Sequence, residues 1–257
     1  FIKDTMISID SVYKLKACIC NITKEEVDII KKLDNDKFIE MKEISTTKRG
    51  IGIQKLVNEK GQVAVLGGKN LYKFGIDGIY GKINNEDLEK NLKKLKFMKQ
   101  PKIITQDIIA HIQNPKPHIL ITSVFDEEGK VLTLDTCQNT VLINNNYDYR
   151  YILGLLNSEF ISWYTYKFIY CSAIRTMHFD KYYIGKIKIP NVTKDKQVKL
   201  IEIVKKIEYY TSKMNNKRDN TYKKELDNLM KKLNVEVFQL YNLNEEEIQI
   251  IMDNNCK

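Results

Sequence analysis

The feature that most restricts the fold is a change of pattern at Pro190. Beyond it, Leu200, Ile203, Ile207, Tyr210 and Met214 recur at spacings of three and four. After the polar turn "NNKRDN", Leu226, Met230, Leu233, Val237 and Leu240 do the same. Residues spaced this way share one helix face. Two such faces across a polar turn predict an antiparallel helical hairpin with those residues as its seam. Before Pro190, short β-branched runs alternate with helical stretches. That order predicts an α+β fold: a mixed-sheet domain over 1–190 and a helical region over 191–257.

Within the first part, Thr23-Lys-Glu-Glu26 is a capping box that opens a helix to about Leu33. "FIEMKEISTTKRGIGIQKL" is strand-like and broken at Arg49-Gly50. "QVAVLGGKNLYKFGIDG" gives a strand, a double-glycine turn and a basic-aromatic loop. "NNEDLEKNLKKLKFM" is helical, with Asn85 as a cap. "PKIITQ", "HILITSVF" and "KVLTLDT" are β-branched runs expected to be strands, with Asp126-Glu-Glu-Gly129 turning between the last two. "YILGLLNSEFISWYTYKFIY" reads as two helices meeting at Asn157-Ser158, since Asn suits a helix end and Ser a helix start. "GKIKIP" is a short strand.

Charge narrows the function. The net charge is +9 and the pI about 9.1, a balance that attracts polyanions. Lysine dominates, and only four arginines occur. An arginine offers a planar fork for guanine or phosphate that lysine cannot copy. Several chemistries find no support. "GGKN" at 67–70 lacks the spacing of a phosphate loop and reads as a tight turn. Asp107 with Glu128-Gly-Lys130 mimics a nuclease metal site only faintly, because two of its members fall in a turn. No nucleophile–base pair is evident. "NPKP" lacks the second proline and the aromatic of an adenine methyltransferase motif. No glycine-rich loop for S-adenosylmethionine follows a strand. The five cysteines have no metal-ligand spacing and read as reduced thiols. No apolar run reaches membrane-span length, so a cytoplasmic, membrane-free protein is expected. Phe1 in place of Met suggests a piece of a longer protein.

"YILGLLNSEFISWYTYKF…SAIRTMHFDKYYIGKIKIP" resembles the TaqI-like C-terminal specificity domain of adenine-N6 DNA methyltransferases and fused type II restriction-modification enzymes. "KRGIGI", "VLGGKNLYKFGI", and "PKIITQDIIAHI" followed by "LTLDTCQNTVLI" are similar to segments of that family in the same order. "LNVEVFQLYNLNEEEIQII" is similar to its close, with Asn242 where glycine is commoner. The resemblance implies a target recognition domain. It would bind double-stranded DNA and place an adenine for a methyltransferase domain of the same parent chain. That parent would use S-adenosylmethionine, with Mg2+ if a nuclease is fused. This fragment alone would hold no cofactor and no metal and catalyse nothing. One rival reading is a separate specificity or scaffolding subunit that docks a methyltransferase through its helical pair; another is an RNA-binding module, for which exposed aromatics on a sheet would be expected, whereas here they fall mainly on helical stretches. Candidate DNA contacts are Lys48, Arg49, Lys69, Asn70, Lys73, Arg175, Thr176, His178 and Lys181, all on turns or junctions that can reach a groove. Arg175 would either contact DNA or pair with a carboxylate such as Asp180.

Overall fold

A computed structural model of the chain describes residues 22–90, 95–109, 111–114, 116–173, 177–217 and 221–255. The β-branched runs form a four-stranded antiparallel sheet in the order Ser123–Asp126, Lys102–Gln106, Cys137–Leu142, Ser45–Arg49. Beside it stands a three-stranded mixed sheet, in which Val63–Leu66 pairs in parallel with Leu132–Thr133 and antiparallel with Gly81–Ile83. Shorter pairings complete an α+β fold.

Several strand-like runs are shorter than the sequence implies. "FIEMKEISTTKR" is two strands, Phe38–Glu40 and Ser45–Arg49, around a helical turn at Met41–Ile44. "HILITSVF" splits into His118–Ile119 and Ser123–Asp126, and only Leu132–Thr133 of "KVLTLDT" is strand. Side-chain propensity is satisfied in all of them, but a strand continues only while a neighbour offers a ladder. The helix after "GKI" starts at Asn85 itself, so Asn85 is not its cap.

The Asp126–Gly129 turn is as expected, with Gly129 at φ +64°. A Cβ there would lie 2.6 Å from the Gln100 nitrogen, so both conformation and space require glycine. Asp126 holds the turn by accepting from the Lys130 amide at 3.1 Å, and it pairs with the fully buried Lys102. The Lys102 ammonium also donates to the carbonyls of Met98 (2.6 Å) and Val131 (2.9 Å). Burial pushes its pKa below the ordinary lysine value, against the opposing pull of Asp126.

Helix signals at the Asn157 junction are realised. Helix Tyr149–Leu156 ends at Asn157, and Ser158 caps the next helix by accepting from the Ile161 amide at 3.2 Å. That helix, Glu159–Tyr164, passes into a wider turn at Thr165–Ile169. Trp163 is buried in the main core. The Thr23–Glu26 capping box is also present, opening helix Lys24–Lys31.

Helices Lys194–Lys217 and Thr221–Leu240 pack antiparallel: Lys199 meets Glu236, while Tyr210 meets Tyr222 with the rings tilted and their centroids 5.7 Å apart. The expected seam is rotated. Fully covered are Leu200, Val204, Ile207 and Thr211 on one helix and Leu229, Leu233 and Val237 on the other. Ile203, Tyr210, Met214, Leu226, Met230 and Leu240 are only half-buried. The cause is a third helix. Gly154 of Tyr149–Leu156 lies so close that a Cβ there would sit 2.9 Å from Val204 Cγ2 and 3.1 Å from Leu200 Cγ. The long helix turns Val204 toward that neighbour and so moves Ile203 to the flank.

The chain closes through Tyr241, which is fully buried and whose hydroxyl donates to the Lys188 carbonyl at 2.6 Å. Asn242 follows at φ +53°, the left-handed position expected of it. Among the described residues, no helix is long and apolar enough to cross a membrane.

Candidate nucleic-acid interface

Three strand ends and a loop converge on Asp107, which follows strand Lys102–Gln106 and is fully buried. Its Oδ1 accepts from Gln138 Nε2 at 2.5 Å. Its Oδ2 lies 2.6 Å from His178 Nδ1 and 3.3 Å from a terminal nitrogen of Arg49. The backbone of Asp107 is fixed too: its amide donates to Thr136 O at 3.0 Å, and its carbonyl accepts from Phe179 N at 2.6 Å. A buried carboxylate is costly unless paired and hydrogen-bonded, and here it is both. Sheet register supplies the partners. Gln138 stands opposite Arg49, and His178 opposite Ile108. Arg49 Nε donates to the Asp135 carbonyl at 2.6 Å, which fixes the guanidinium from a second side.

Next to this cluster stands the "GGKN" turn. Gly68 N donates to Thr136 Oγ1 at 2.9 Å, and Gln106 Nε2 donates to the carbonyls of Gly68 (2.8 Å) and Leu71 (3.2 Å). Asn70 holds the turn from inside, accepting from Gly67 N at 2.9 Å and donating to Asp77 O at 3.1 Å. Lys69 is exposed at its tip. Exposed Tyr80 lies beside Gly67, and exposed Ile108 beside His178.

The other sequence candidates scatter. Lys48 precedes Arg49 on a strand, so the two diverge. Lys48 lies over the Phe97 ring, 4.5 Å from its centroid. Lys73 reaches inward and donates to the Asn157 carbonyl at 2.8 Å. Lys181 is exposed in the first turn of helix Lys181–Gly185. Asp180 caps that helix through the amides of Tyr182 and Tyr183. Arg175 and Thr176 lie outside the described residues. Asp107, Gln138, Gln106 and Thr136 are the supporting groups that the sequence did not assign to the interface. Their signal was present as amides and an acid interrupting β-branched runs, "IITQD" and "TCQNT". The faint nuclease-like set does not assemble: Glu128 and Lys130 pair with each other in the exposed turn, while Asp107 faces Arg49, His178 and Gln138. Among the described residues, no group of three or more His, Cys, Asp or Glu could hold a metal ion.

Residues 63–189 match the TaqI-like C-terminal specificity domain family. The chain carries a TaqI-like specificity domain. Asp107, Gln138 and His178 fall within the matched stretch of that specificity domain, and Arg49 enters from the strand before it. No curated protein matches the sequence. Two solved structures resemble the chain over 90% of its length. One comes from a study of complex assembly and conformational transition of the type I R-M system (7% identity, TM-score 0.40, 53% of that chain). The other is a type I restriction-modification system S subunit from M. genitalium (15% identity, TM-score 0.38, 52% of that chain). The specificity-domain chain therefore spans about half the length of these structures.

Proposed function

We propose that the chain is a DNA sequence-recognition module of a restriction-modification enzyme. The observation that carries this reading is the Arg49–Asp107–His178 cluster. Two exposed hydrogen-bonding side chains stand there on a buried, fully engaged carboxylate, at the edge of a specificity domain. Phosphate contacts would come from the surrounding lysines, Lys69 foremost, and would set affinity and register. Base edges would be read by the arginine and the histidine. The finer reading follows from the resemblance. The module would place an adenine for a methyltransferase domain of the same parent polypeptide, with S-adenosylmethionine, and Mg2+ if a nuclease is fused, bound outside this fragment.

Fluorescence anisotropy with a labelled duplex tests the reading. Binding is expected at low salt, with affinity falling roughly ten- to a thousandfold between about 50 and 200 mM salt as several phosphate contacts are screened. No binding to duplex DNA at low salt would overturn it.

A further inference from the structure

The cluster also carries a prediction about what it reads, and this rests on the DNA-recognition reading above. We propose that Asp107 is a positioning residue that holds Arg49 and His178 as a rigid pair for reading neighbouring base edges in the major groove, with Arg49 on the N7/O6 edge of a guanine.

The geometry of the guanidinium is the first argument. Arg49 gives its Nε–H to the Asp135 carbonyl, and one terminal nitrogen lies 3.3 Å from Asp107 Oδ2 as an ion pair. The first contact occupies the Nε–H, and the second holds the guanidinium by charge. The terminal N–H groups donate no hydrogen bond among the described residues, and the Arg49 side chain is 50% exposed while Asp107 is 1% exposed. Two parallel donors match the two acceptors that guanine alone presents side by side in the major groove. Phosphate oxygens would accept the same fork, so charge has to decide between them. Asp107 cancels the charge of Arg49, and the nearby Cys137 thiol, pushed up to about 12 by burial, stays neutral. A neutralised cluster is a weak attractor of phosphate, whereas fixed orientation is what a base edge requires.

His178 completes the pair. A carboxylate can only accept, so Nδ1 carries the proton shared with Asp107. In the neutral ring Nε2 is then an acceptor, and it takes the amino N–H of an adenine or cytosine. Tyr170 fixes the segment by donating to the His178 carbonyl at 3.2 Å. The His178 side chain is 59% exposed above its buried anchor.

The test selects sites from a randomised duplex library with the full chain, as wild type and as Asp107→Asn, Arg49→Lys and His178→Ala, each checked by thermal melting. Wild type is expected to enrich a motif containing a guanine. Replacing that guanine by 7-deazaguanine should weaken wild type about tenfold and leave Arg49→Lys indifferent. Arg49→Lys should lose about tenfold more affinity on the selected site than on unselected duplex. Asp107→Asn should flatten the guanine position and the position that His178→Ala flattens. Tolerance of 7-deazaguanine by wild type, an unchanged motif for Asp107→Asn, or an equal loss on all sequences for Arg49→Lys would each overturn the inference. If Asp107→Asn fails to fold, Arg49→Lys and the modified base decide alone. Absence of all duplex binding by wild type would instead remove the DNA-recognition reading itself.

Discussion

Replacing Ile207 with Asp is expected to cost about 4 kcal/mol or more, enough to unfold a domain of ordinary stability. Ile207 is fully buried in the core that joins the helical pair to the rest of the chain. Its neighbours along the helix face, Leu200 and Val204, pack against Gly154 of another helix. An aspartate there would bring an unpaired charge into an apolar setting. The conservative change Ile207→Val removes one methyl group and should cost only about 1 kcal/mol. Urea unfolding monitored by circular dichroism checks both. Equal midpoints for Ile207→Asp and wild type would mean that this helix face is not buried in solution.

Asn157→Ala is expected to cost about 3 kcal/mol, far more than the loss of a surface amide. The Asn157 side chain is fully buried and behaves as a strand neighbour to Ser123: Oδ1 accepts from the Ser123 amide and Nδ2 donates to the Ser123 carbonyl, both at 2.9 Å. Alanine leaves the Ser123 amide without a partner in a dry setting, at about 1–3 kcal/mol, and removes one of the two donors to the Ser123 carbonyl, which keeps the Phe74 amide at 3.1 Å. Asn157→Asp keeps an acceptor but sets a carboxylate against the Ser123 carbonyl, so it should be no better. Ser158→Ala, which removes the helix cap and the hydroxyl's bond to the Leu155 carbonyl at 2.6 Å, should cost about 1–2 kcal/mol. Thermal melting of the three variants tests this order. A smaller loss for Asn157→Ala than for Ser158→Ala would show that Asn157 is only a helix terminator.

That pair of residues marks how far local chemistry reaches. The helix ends at Asn157 and Ser158, the Thr23 box and the left-handed Asn242 are all decided within four residues, and the sequence shows them. It did not show that the Asn157 amide is spent on Ser123, because that bond joins segments brought together only by the sheet. The helical pair was legible for the same local reason. Its rotation was not, since Gly154 lies on a different helix and leaves no trace in the spacing of Leu200 to Met214. At the interface, Arg49 and His178 stood out as rare residue types. Their meeting at Asp107 depends on the registers that place Arg49 opposite Gln138 and His178 opposite Ile108. Lys73 shows the converse. Its basic-aromatic loop suggested a groove contact, and packing turns it instead onto a helix-end carbonyl, where a cation is favoured.

The earliest described helix, Lys24–Lys31, is held by partners that come late in the chain. Lys32 bonds Glu247 across 215 residues, buried Glu26 pairs with Lys167 and meets Asn254, and strand Phe38–Glu40 has its partner at Lys188–Pro190. A polypeptide emerging from the ribosome therefore displays Val27, Ile29 and Ile30 long before anything exists to cover them. Helix Glu245–Asn255 is made more than 200 residues later, so this corner of the protein closes only once that helix has cleared the exit tunnel. Until then these side chains are open to chaperones and proteases, and a nascent chain halted short of residue 245 would keep them so.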